Sequence, residues 1–142
     1  MTIATVLSAK GREVATIPAS AMLRDAVSEL AQRNIGALVV VDGDSVTGII
    51  SERDLVGCLN RHGDGLLDRP VSEAMTAPAI TVTPETSVLN ALALITARRV
   101  RHLPVVVDGR LLGIVSIGDL VKYRIEHIER EAEAMRAYIQ SA

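Results

Sequence analysis

Phenylalanine and tryptophan are absent, and tyrosine occurs only as Tyr123 and Tyr138. Any core must therefore be built from Val, Ile, Leu, Ala and Met. Single-stranded nucleic acid is disfavoured as a ligand, because stacking on aromatic side chains supplies much of that affinity. One cysteine, Cys58, excludes an intrachain disulfide and leaves no Cys-x-x-Cys metal spacing. It reads as a small hydrophobe. The net charge is −2, and no basic stripe suits a duplex. The start, MTIATVLSAKGREV, lacks the charged leader and apolar run of a signal peptide. No apolar run is long enough to span a bilayer. These absences predict a soluble, cytoplasmic protein with neither nucleic acid nor membrane as partner.

What is present is one unit written twice. Hydrophobic residues make up 49% of the 142 positions, enough for a core. VVVDGDSVTGIISERDLV (Val39 to Val56) aligns with VVVDGRLLGIVSIGDLV (Val105 to Val121), given a one-residue deletion in the second turn. Upstream, Ala26 to Leu38 falls on Leu92 to Pro104, Pro18 on Pro84 and Leu23 on Leu89. The leading VLSAKG and VSEAMTAP hold equivalent places. The division predicted is a first repeat over 1–62, a linker over 63–70, and a second repeat with a C-terminal helix over 71–142.

Each half reads β-α-β-β-α. A short strand (Val14 to Ile17; Ile80 to Val82) ends at a proline, which cannot donate to a ladder. A helix follows, with Thr86 or Ser87 as N-cap in the second half and Arg98 and Arg99 at its negative end. Two Val- and Ile-rich runs joined by Asp-Gly then predict a hairpin, with strands covered on both faces. Second helices start at Glu52 and Ile117. A unit of about 60 residues is marginal alone, so the halves are expected to pair their sheets. The fold class is α/β (α+β): two such repeats as a pseudo-twofold pair, with a long C-terminal helix.

The most repeated stretch is GIISERDL (Gly48 to Leu55) and GIVSIGDL (Gly113 to Leu120). Ser followed three residues later by Asp at a strand-to-helix junction has two readings. One is a capping box, with Ser51 or Ser116 and Asp54 or Asp119 satisfying the first helical turn. The other is a ligand site. The helix N-terminus favours phosphate, an ionised Asp accepts from a diol, and aliphatic walls sandwich a flat base. The spacing alone leaves both open.

With VSEAMT, RHLPVVV and the doubled Gly-apolar-x-Ser-x-x-Asp pattern, nearly the whole chain resembles the CBS-domain pair, or Bateman module. The resemblance implies adenosine-type ligands: AMP, ADP, ATP, NAD(H) or S-adenosylmethionine. It implies Asp54 and Asp119 on ribose hydroxyls, with Ser51 and Ser116 near the ribose–phosphate end. It lines the base slots with Ile35, Gly36 and Ala37 in the first copy, and Arg101, His102, Leu103 and Pro104 in the second. Thr16 and Ile17, or Thr81 and Val82, come from the first strands. Gly118 offers no side chain, so Arg53, or Arg101 with His102, would meet the phosphate. Gly36 and Ala37, set against His102 and Leu103, lack a polar handle, so the second site is expected to fill more readily.

Catalysis is not expected. His62 lies in the linker and His127 in a charged helix. His102, Ser116 and Asp119 form a triad on paper, but Ser116 lacks a Gly-x-Ser-x-Gly elbow, and no P-loop exists. The last helix carries Val121, Ile125, Ile128, Ala132, Met135 and Ile139 at heptad spacing. Such a stripe packs on the chain's own sheet or on another copy, and a homodimer is favoured. Two functions remain: a regulatory module acting on an unknown partner in trans, and a scaffold with vestigial clefts.

Overall fold

The computed structural model describes residues 1–141; Ala142, the end of the second repeat as delimited above, lies outside them. In chain order the elements are α1 (Ile3–Lys10), β1 (Thr16–Pro18), α2 (Leu23–Arg33), β2 (Ala37–Asp42), β3 (Ser45–Ser51) and α3 (Glu52–His62), then α4 (Val88–Arg98), β4 (His102–Val107), β5 (Arg110–Ser116) and α5 (Ile117–Ser141). The fold is the expected α/β pair of repeats with a long C-terminal helix. The linker carries a 3-10 helix over Gly63–Asp68, whose Leu66 is buried. No helix among the described residues is long and apolar enough to cross a membrane.

The strands run β1-β2-β3-β5-β4. Each hairpin is antiparallel, and the two halves of the sheet meet at their tips, where Ser45 pairs with Arg110 and the Leu111 N–H donates to the Asp44 carbonyl. Two cores follow, one per repeat. Leu23, Leu38 and Ile50 are fully buried in the first, and Val88, Leu103 and Val115 in the second.

These pairs correct the alignment of the repeats. Ala37 pairs with Ser51 and His102 with Ser116, so both hairpins have the same length. From the first strand to the last helix the copies are related without a gap by a shift of 65 positions, from Ser51 to Ser116 and from the left-handed Asn34 to the left-handed Arg99. The one-residue deletion does not exist. Leu23 matches buried Val88, not Leu89, which is 57% exposed. The identical letters VVVDG sit one position out of step, because the turns differ. The first places Gly43 (φ 60°) at its bend, the second Asp108 (φ 50°) followed by Gly109 (φ 78°). Gly36 therefore matches Arg101, and Ala37 matches His102.

The expected strand over Ile80 to Val82 is also corrected. Only Val82 bridges, to Val105. In the first repeat the Val39 N–H donates to the Ala15 carbonyl at 3.1 Å. Pro104 stands at the equivalent place and has no N–H to give. Here the first strand shrinks to one residue.

The leading segments cross over. α1, ended by Gly11 at φ 102°, buries Ile3, Val6 and Leu7 in the core of the second repeat. Val71 and Ala74, from the leader of the second repeat, lie in the core of the first. Each repeat's core is thus closed by the other's leader. Burying each of Ile3, Val6, Leu7 and Val71 stabilises the fold by about 1.5–3 kcal/mol.

Candidate functional site

The first cleft is a cavity of about 370 Å³ between the repeats. Its first wall is the β3–α3 junction, with Ile49, Ser51, Glu52, Arg53, Asp54 and Val56. Its second is the α4–β4 turn, Arg99 to His102, with Gly36 and Thr76 between them. Ser51 is the N-cap of α3. Its hydroxyl accepts from the Asp54 N–H at 3.3 Å, and the Asp54 carboxylate accepts from the Ser51 N–H at 2.9 Å. The Thr76 hydroxyl donates to the other carboxylate oxygen at 3.1 Å. The Glu52 N–H donates to the Gly36 carbonyl. The Arg53 N–H therefore stays free for an anion at the helix's positive end. The Arg53 guanidinium donates to the Arg99 carbonyl at 3.0 Å, tying one repeat to the other.

The β5–α5 junction repeats the backbone hydrogen bonds of the first and adds a cation. The Ser116 N–H donates to Asp119 at 2.8 Å, and the Asp119 N–H donates to the Ser116 hydroxyl at 3.1 Å. The capping reading thus holds in both copies. Lys10, at the end of α1, adds an ion pair. Its ammonium lies 2.6 Å from Asp119 Oδ2 and donates to the Ile114 carbonyl at 2.8 Å. Both side chains are about one-third exposed, at 32% and 27%. Burial pushes Asp119 upward, but hydrogen bonds from Lys10 and from the Ser116 N–H, with the Lys10 charge, outweigh it and hold the carboxyl below its usual range. A side chain at Gly113 would meet Leu7 at 3.0 Å, so α1 lies directly on β5.

His102 stands between the clefts. Its ring lines the first cleft. Burial lowers its pKa, the Lys10 charge lowers it further, and Asp119 and Glu52 only partly oppose this. Among the described residues His102 makes no side-chain hydrogen bond, and the Ser116 hydroxyl is engaged by the Asp119 N–H. The paper triad is not assembled.

Of the residues singled out by sequence, the first cleft gathers Gly36, Ser51, Arg53, Asp54, Arg101 and His102. Ser116 and Asp119 form the second junction. The others lie elsewhere. Ile17, Ala37, Val82 and Leu103 are core, and Pro104 is buried in β4. Ile35 lines an apolar groove between α2 and α3, Thr16 lies by the hairpin tips, and Thr81 is exposed. Glu52, Thr76, Arg99 and Lys10 were missed. Thr76 ends the quoted VSEAMT and Lys10 lies in VLSAKG, so both stood in recognised leaders. Their reach across to the opposite hairpin was not visible.

A family model described as the CBS domain matches residues 10–61 and 71–126. A mitochondrial CBS-domain-containing protein of Arabidopsis thaliana is 42% identical over 121 residues, covering 82% of this chain and 59% of the relative. A CBS-domain-containing protein of Bacillus subtilis is 34% identical, over 76% of each chain. The chain thus spans less than two-thirds of the Arabidopsis relative's length. Among solved structures, a CBS-domain-containing protein from Agrobacterium tumefaciens superposes with a TM-score of 0.84 at 38% identity, covering 87% of this chain and 99% of that one. A CBS-domain protein from Pyrobaculum aerophilum, solved in complex with AMP, gives 0.75 at 28% identity, over 84% and 89%.

Proposed function

The chain belongs to the CBS-domain family as a tandem pair, and from that premise we propose that it is a regulatory module binding an adenosine-type ligand between its repeats. One observation carries this reading: the first cleft joins a capped helix N-terminus and the Asp54 carboxylate of one repeat to Arg99, Arg101 and His102 of the other. Its volume falls in the range of small-molecule sites. An anionic ligand spanning both walls ties the repeats into one arrangement, and differential affinity for that arrangement is the signal. The likeness to an AMP complex supports the ligand class. Asp54 already accepts from Ser51 and Thr76, so a ribose diol takes the Thr76 hydroxyl's place. The site binds and does not turn over its ligand. The regulated protein acts in trans.

We also propose a homodimer. Val121, Ile125, Ile128, Met135 and Ile139 on α5 are exposed, as are Val56 and Leu59 on α3 and Leu89 on α4. A second copy is the simplest cover for such a surface.

The scaffold reading has one observation in its favour, since the Ser–Asp pair caps its helix in both repeats without any ligand. Thermal shift with AMP, ADP, ATP, NAD⁺, NADH and S-adenosylmethionine separates the two. Ligand at 100 times its dissociation constant adds about 2.7 kcal/mol. A rise that Asp54→Ala removes supports the module, and no rise with any of the six leaves the scaffold.

A further inference from the structure

Resting on that reading, we propose that Lys10 is an intrachain occupant of the second cleft and makes α1 a latch that an adenosine-type ligand must release. Three observations meet here. The Lys10 ammonium bridges the Asp119 Oδ2 and the Ile114 carbonyl, so it neutralises the carboxylate that a diol would reach. The equivalent Asp54 receives only neutral donors, and among the described residues no cation pairs with it. In the leaders Leu7 packs on Gly113 as Met75 packs on Gly48, and Ile3 and Val71 donate to the equivalent Thr86 and Ala21 carbonyls, so these segments are related by 68 positions and Lys10 corresponds to the uncharged Pro78. The two junctions share a capping backbone, and a cation pairs only with the second carboxylate among the described residues.

The order of filling follows. The Asp54 cleft takes ligand first. The Asp119 cleft takes it only after the ion pair parts and the end of α1 moves off β5. This reverses the order expected from the polar handle of His102. It also couples the second cleft to the first repeat, because α1 leads into β1 through residues 11–15.

The test measures AMP binding by calorimetry on wild type, Asp54→Ala, Asp54→Ala/Lys10→Met and Asp54→Ala/Lys10→Arg, with amide hydrogen exchange of α1 in ligand-free wild type and Lys10→Met. Methionine keeps the aliphatic stem and removes the charge. The double variant with methionine is expected to bind AMP at least tenfold tighter than Asp54→Ala, and arginine to return the weak affinity. Exchange over Ile3–Lys10 is expected to quicken in Lys10→Met. Equal or weaker binding after Lys10→Met, with wild type binding AMP normally, overturns the latch alone. So does unchanged α1 exchange. Failure of every protein to bind AMP overturns the latch together with the functional reading beneath it.

Discussion

The His102 ring lies against Gly36, 3.2 Å from where a β-carbon on Gly36 would stand. The glycine makes room for the one ionisable ring at the meeting of the two repeats. Arg101 occupies the equivalent place in the second repeat, so the pseudo-twofold is broken where the clefts approach each other. Gly36→Ala must push the ring by a few tenths of an ångström. Its backbone conformation tolerates alanine, so the effect is one of overpacking, worth about 1–3 kcal/mol. A lower denaturation midpoint with a shifted His102 imidazole resonance is the expected result. An unchanged resonance would show that the contact is slack.

The paired caps predict a stability effect that needs no ligand. Ser51→Ala and Ser116→Ala each remove a side-chain acceptor from a first-turn N–H. Each should cost about 1 kcal/mol. The junctions share no hydrogen bond, so the double variant should lose the sum. Urea denaturation of the four proteins measures it. A deficit in the double variant well beyond the sum would mean that the caps are coupled across the pair.

Acidification should destabilise the fold in two steps. His102 is held below its ordinary value by burial and by the Lys10 charge. Its contribution is complete above the unfolded value of about 6.5 and is lost as pH falls through the lower folded value. Asp119 is also lowered, so its contribution is complete above about 3.9 and is lost below that. His102→Gln should abolish the first step, leaving melting temperature flat between neutral pH and the onset of the second. Lys10→Met should shrink the second. A wild type that gains stability relative to His102→Gln on acidification would reverse the sign and exclude the buried neutral ring.

GIISERDL and GIVSIGDL were readable because their physical demands are local. A Ser and an Asp three residues apart close one helical turn wherever they occur, and both pairs do so here. Letters and geometry disagree between the repeats. VVVDG recurs, but hairpin register is set by the turn and by which residues face the core. Pro104 hides a second effect, since its missing N–H shortens a strand distant in sequence. Lys10 was beyond reach for another reason. Its partner lies 109 positions away, and only the crossing of α1 onto the opposite repeat brings them together.

The C-terminal helix gives the last prediction. α5 runs 25 residues, about 37 Å at 1.5 Å per residue, and Leu120 in its first turn is its buried residue. Beyond that turn the heptad stripe is only partly covered by the described residues: Ile128 is 47% exposed and Met135 60%. In the proposed homodimer, the stripe is the surface that a second copy covers. Ile128→Glu and Met135→Glu place a charge where two such stripes would meet and touch nothing buried in the isolated chain. Sedimentation equilibrium should find a dimer for the wild type and a monomer for each variant, with helical circular dichroism retained. A monomeric wild type, or variants that keep the dimer mass, would move the interface off α5 and leave the exposed residues of α3 and α4 as the surface to probe.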